Sequence, residues 1–185
     1  NDPDFARALA APFEAFVQDA FGALHRAHAS TAGAVGLLPS AAGLLVQREV
    51  AALRRLVQNP AHPYLAVIGG KKAEEKIGGL FGLLPHVDAF LIGGGVAYTF
   101  LVNKRLKVGD SIVAAEYLDE AKRFVAAAYA RGASVVLPRD VQLTQALGEG
   151  AEAVIAPANK IPDGWMGADI GPETAAAYAS EASRA

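Results

Sequence analysis

The sequence specifies an α/β domain, a mainly parallel sheet with flanking helices, over most of its length. Three observations carry this. Short apolar runs recur at residues 64–68, 89–92, 135–137 and 153–156. Stretches of helical character at 72–84, 96–104 and 116–130 separate the first three runs. The first two runs end in glycines that lead straight into a helix. Strands alternating with helices pair in parallel, because the crossover brings each strand back in the same direction.

Each element has its own signal. Residues 5–16 carry apolar side chains at helical spacing, and 17–21 are apolar and read as a strand. Residues 22–40 are rich in small side chains and read as loop plus a short helix. Residues 41–58 form a stronger helix with Leu44, Leu45, Leu53 and Leu56 as its apolar side and Arg48, Arg54 and Arg55 outside, ended by Asn59-Pro60. Pro85 closes the 72–84 helix and Gly132 stops the 116–130 helix. Pro172 opens a last helix, where its fixed φ and missing N–H cost nothing. The rhythm changes near Asn59, which is the expected domain boundary.

Composition narrows the function. The chain of 185 residues is 52% hydrophobic and 19% charged, which excludes a disordered tail and requires a large core. A formal net charge of -2 gives no basic field for nucleic acid or an anionic membrane, so neither partner is expected. The absence of cysteine excludes a disulfide framework and thiolate chemistry and fits a cytoplasmic location. No apolar stretch reaches membrane-spanning length. The opening Asn1-Asp2-Pro3-Asp4 has neither Met nor a basic leader, and reads as the start of a processed or excerpted chain.

The glycine turns are the candidate site. In open α/β sheets ligands sit beyond the carboxyl ends of the strands, where glycine admits close backbone approach and a helix N-terminus offers free N–H groups to an anion. Lys72 and Lys76 follow the first turn at i, i+4, which places two ammonium groups on one helix face and suits a polyphosphate. Ordinary tight turns with solvated lysines would give the same spacing.

Four motifs add to this. Gly69-Gly-Lys-Lys-Ala-Glu-Glu-Lys-Ile77 resembles Gly-Gly-Ala-Lys-Val-Ser-Asp-Lys-Ile of the phosphoglycerate kinases. Leu91-Ile-Gly-Gly-Gly-Val-Ala-Tyr-Thr-Phe-Leu101 resembles that family's Leu-Ile-Gly-Gly-Gly-Met-Ala-Tyr-Thr-Phe-Leu. Asp19-Ala-Phe-Gly-Ala-Leu-His-Arg-Ala-His-Ala-Ser30 is similar to its Asp-Ala-Phe-Gly-x-x-His-Arg-Ala-His-x-Ser signature. Ile161-Pro-Asp-Gly-Trp-Met-Gly-Ala-Asp-Ile-Gly-Pro172 is similar to its Ile-Pro-x-Gly-Trp-Met-Gly-x-Asp-Ile-Gly-Pro. They occur in the family's order and cover nearly the whole chain.

The resemblance implies a central portion of a two-domain kinase. Residues 1–39 would end the N-terminal substrate domain, 40–58 would be the interdomain helix, and 59–185 would be part of a Rossmann-like nucleotide domain. The implied activity is reversible phosphoryl transfer between ATP and 3-phosphoglycerate in glycolysis. Mg2+ would arrive with ATP or ADP rather than in a protein cage, and the whole protein would be a monomer. His25 and Arg26 match the basic patch for the acidic substrate, where guanidinium offers a planar fork to phosphate or carboxylate. His28 fits either that patch or a hydrogen-bonded loop position. Lys72 and Lys76 match the lysines that meet nucleotide phosphates or the migrating phosphoryl group, a chemistry that rests on positioning and charge neutralisation. Gly70, Gly94, Gly95 and Gly167 match nucleotide-side backbone contacts.

The chain also departs from the pattern. Lys71, in the same nucleotide turn, stands where the family has alanine; its ammonium is expected to point away from the phosphates, since three converging cations repel. Glu74 and Glu75 replace Ser-Asp. Trp165 is assigned to packing and Asp169 to capping the last helix. The family's opening substrate motifs and its later phosphate-cradling glycine loop are absent, so the isolated chain is expected to be inactive. A nucleotide-binding module without catalysis and an inactive fragment are the alternatives. The His25-Arg26 segment argues against the module, which has no use for a second-substrate arginine.

Overall fold

A computed structural model of the chain describes residues 2–148 and 150–185, and their side chains apart from those of Glu74 and Glu75, so the replacement of Ser-Asp by two glutamates lies outside the described residues. The chain divides into two compact units, Asn1–Pro60 and Ala61–Ala185.

The first unit opens with α1 (Pro3–Ala10), started by Pro3 and by the Asp2 carboxylate, which accepts from Asp4 N at 2.8 Å. The helix is shorter than its apolar pattern suggested. Strand β1 (Phe16–Gln18) pairs in parallel with β2 (Ser40–Ala42). A 3-10 turn at Phe21–Ala23 and a π turn at Ala29–Gly33 fill the small-residue segment between them. Helix α2 (Leu44–Gln58) has no cap of its own; Asp19 supplies one, accepting from Val46 N at 2.9 Å. Val46 is its buried residue, and Leu44, Leu45, Leu53 and Leu56 are exposed. Periodicity located this helix but not the side it buries within the unit.

The second unit begins with β3 (Leu65–Ile68), β4 (Ala89–Ile92) and β5 (Ser134–Val136), a parallel sheet in the order β3-β4-β5. Helix α3 (Glu74–Leu83) crosses from β3 to β4, and α4 (Gly94–Asn103) with α5 (Leu118–Ala130) crosses from β4 to β5. All four residues of β4 are buried, as its central position requires. Phe124 of α5 meets Phe81, Phe90 and Phe100 edge-on at centroid distances of 5.5, 4.9 and 6.2 Å. This aromatic cluster locks α3, α4 and β4 to α5.

The fourth apolar run does not join that sheet. Strand β7 (Val154–Pro157) belongs to a separate antiparallel sheet in the order β7-β6-β8, with β6 (Asp140–Thr144) and β8 (Met166–Ile170). Helix α6 (Pro172–Ala182) follows. Its Tyr178 hydroxyl lies 2.8 Å from Ile92 O and 3.0 Å from Val136 O, bridging the carboxyl ends of β4 and β5. Trp165 packs against the core formed by Tyr98, Val141 and Leu143, in keeping with a packing role.

Candidate functional site

Register sets the site in the second unit. Ile68 of β3 pairs with Ile92 of β4, so the two strands end level and their glycine turns lie side by side. Gly93 N donates to Ile68 O at 2.8 Å, and Val96 N, in the first turn of α4, donates to Gly70 O at 3.2 Å. The β3 turn thereby caps the helix that follows β4.

The turns approach so closely that side chains are excluded. Gly94 has φ +58, and a Cβ there would stand 2.8 Å from Gly70 N. A Cβ on Gly95 would stand 3.1 Å from Gly70 O and 3.2 Å from Lys71 O. Opposite, Gly167 of β8 packs onto the Tyr98 ring so tightly that a Cβ would overlap its hydroxyl, while Gly167 N donates to Ser111 Oγ at 2.9 Å. Burial, with a smaller contribution from the Asp169 carboxylate, pushes the Tyr98 phenol up to about 12, so the hydroxyl stays neutral at physiological pH.

These glycines enclose a pocket of about 330 Å3, lined by Gly70, Lys71, Gly94, Gly95, Ile112, Leu147, Met166, Gly167, Ala168 and Asp169. Five residues marked in the sequence, Gly70, Lys71, Gly94, Gly95 and Gly167, therefore share one cavity. Ile112, Leu147, Met166 and Asp169 were not marked as its walls. Ile112 is 43% exposed and Leu147 67% exposed, so two large apolar side chains stand open at the cavity.

Lys76 lines a second pocket, of about 280 Å3, with Ile68 and Gly69. Its side chain reaches back over the β3 turn: a Cβ on Gly70 would meet Lys76 Cε at 2.9 Å and Nζ at 3.6 Å. Lys72 precedes α3, which begins at Glu74. The two lysines therefore do not share a helix face, because residues 69–73 are spent on the turn. Lys71 is exposed, with its main chain against Gly95.

His25 and Arg26 lie in the first unit, exposed, with Arg26 Nε donating to His25 Nε2 at 3.2 Å. Thr31 is buried and organises the loop after them: its Oγ1 donates to Arg26 O at 2.7 Å and accepts from His28 N at 3.0 Å. His28 therefore has a structural place through its backbone. The last helix is capped by Asp140 of β6, not by Asp169, whose Oδ1 accepts from Ile170 N at 2.8 Å. Sequence proximity favoured Asp169, but the antiparallel pairing of β6 and β8 delivers Asp140 to the helix start.

Paired glycine turns at the carboxyl ends of parallel strands, each leading into a crossover helix, define an open-sheet α/β domain of the Rossmann-like class. The family model for phosphoglycerate kinase matches residues 1–185. A phosphoglycerate kinase of Moorella thermoacetica is 45% identical over 179 residues, which are 97% of this chain and 46% of that protein. The cytosolic phosphoglycerate kinase 3 of Arabidopsis thaliana is 47% identical over 175 residues, covering 94% of this chain and 44% of the relative. The solved phosphoglycerate kinase of Coxiella burnetii superposes with a TM-score of 0.80 at 38% identity, over 97% of this chain and 46% of that one. The chain belongs to the phosphoglycerate kinase family, and it spans a little under half the length of these relatives.

Proposed function

We propose that the chain is the middle of an enzyme that transfers a phosphoryl group between ATP and 3-phosphoglycerate, and that its second unit carries half of the nucleotide site. In this reading residues 1–39 end the substrate domain, 40–58 link the domains and 59–185 begin the nucleotide domain. The observation that carries it is the backbone contact between Gly70 and Gly94, which opens main chain to a ligand at the carboxyl ends of two level strands. In this reading a flat base occupies the pocket that the glycines share with Ile112, Leu147 and Met166. Lys72 and Lys76 then neutralise the phosphates, and Gly95 and the Lys71 main chain complete the turn. His25 and Arg26 bind the acidic substrate.

Mg2+ would arrive with the nucleotide in this account and would offset phosphate charge there. The donor set suits that, since the turns present amides and lysines, with Asp169 the single carboxylate among the described residues lining the pocket. A cytosolic, monomeric whole protein acting on these small molecules completes the reading.

The test is a chimera in which residues 1–185 replace the matching segment of the Moorella relative. A coupled assay with ATP and 3-phosphoglycerate should detect turnover in the chimera and none in the isolated chain, because positioning both substrates supplies most of the rate. Lys76→Ala in the chimera should lower kcat more than it weakens nucleotide binding. A folded, inactive chimera would overturn the proposal.

A further inference from the structure

The groove between α4 and α5 is a third cavity, away from the glycine turns. It measures about 300 Å3, and Phe100, Val125, Val135 and Leu137 form its floor. Phe100 is fully buried, so the floor is part of the core rather than a loose surface patch. Lys104, at the end of α4, and Lys122, in the first half of α5, stand at its rim. Neither lysine forms an ion pair with a described residue, and no carboxylate is among the described residues that line the groove.

We propose that this groove binds a small amphipathic monocarboxylate, an apolar body on the Phe100 and Leu137 floor with its anionic head between Lys104 and Lys122. Charge complementarity selects the head: two ammonium groups without an ion pair to a described residue border an apolar surface, and no carboxylate is among the described residues that line it. The volume selects the size, since about 300 Å3 lies at the small end of ligand pockets and admits a chain of roughly eight carbons. The head remains at the water boundary, where lysine stems lie on apolar surface and keep their charges solvated.

Octanoate is the probe, titrated into the full chain by calorimetry, with 1-octanol as its neutral counterpart. Octanoate should bind saturably and about tenfold more tightly than octanol, the scale of a charge-assisted contact at a partly exposed site. The double variant Lys104→Gln, Lys122→Gln should bring octanoate to the level of octanol and leave octanol unchanged. Ala126 lines the groove from the exposed side of α5, so Ala126→Trp should block both ligands without disturbing the core. ADP should displace neither. Absence of saturable octanoate binding, an unchanged octanoate affinity in either variant, or displacement by ADP would each overturn the proposal.

Discussion

Asp140 and Thr174 hold each other by reciprocal hydrogen bonds. Thr174 N and Thr174 Oγ1 donate to Asp140 Oδ1 at 2.7 and 2.6 Å, and Asp140 N donates back to Thr174 Oγ1 at 3.1 Å. Glu173 N adds a bond to Asp140 Oδ2 at 3.0 Å. The carboxylate thus caps α6 from another strand and fixes the helix that bears Tyr178 against β4 and β5. Asp140→Ala should cost about 2–3 kcal/mol, a lost cap plus orphaned buried donors, and lower the Tm. Burial pushes the Asp140 carboxyl up, but the hydrogen bonds from Thr174 and Glu173 outweigh it and hold the group below its ordinary value. A depressed folded value contributes stability above the unfolded value, about 3.9, and that contribution is lost as pH falls through the folded one. The gap between wild type and Asp140→Asn should therefore close in acid, as read by denaturant midpoints across pH.

Asp88 forms a weaker clamp of the same sign. Its Oδ2 accepts from Tyr64 N at 2.6 Å and lies 2.6 Å from His62 Nδ1, tying the entry of β3 to that of β4. The His62 hydrogen bond, then that from Tyr64, holds the Asp88 carboxyl below its usual value. Both side chains are about half exposed, so Asp88→Asn should cost only about 0.5–1 kcal/mol. Urea titrations should place that loss at neutral pH and find it shrinking in acid, as pH falls through the lowered folded value and the wild-type carboxyl takes up its proton.

The Gly70 and Gly94 contact makes a sharper prediction. Gly94→Ala would put a Cβ against Gly70 N at a positive φ, so the two turns must separate. The variant should lose about 1–2 kcal/mol of stability and weaken nucleotide binding by about tenfold or more. Ala at Gly79, where a Cβ meets nothing within 4 Å, should preserve binding. Equal effects of the two substitutions on nucleotide affinity would contradict the cradle.

Legibility in the sequence differs from element to element. Strands β3 and β4 were legible because an uninterrupted apolar run ending in glycine fits little besides a buried strand that feeds a turn. Strands β6 and β8 were not, since Gln142, Asp169 and Gly167 interrupt any apolar run and their pairing is set by distant partners. The pocket's glycines were visible as a pattern, but Ile112 and Leu147 come from loops without periodicity. Lys72 was misplaced because spacing alone does not reveal that a turn consumes residues before a helix begins. The Asp140 cap was hidden for the same reason as β6.

The central claim is that the glycine turns and the lysines beside them form a nucleotide phosphate site, and calorimetric titration of the chain with MgADP and with adenosine tests it most directly. MgADP should bind at least about tenfold more tightly than adenosine, as expected when ammonium groups meet phosphates. Lys72→Ala should remove most of that difference and Lys76→Ala a smaller part, while Lys71→Ala, whose ammonium lies off the phosphate path in this account, should change MgADP affinity by less than about twofold. Equal binding of adenosine and MgADP to the wild-type chain, or an MgADP affinity untouched by both Lys72→Ala and Lys76→Ala, would contradict it.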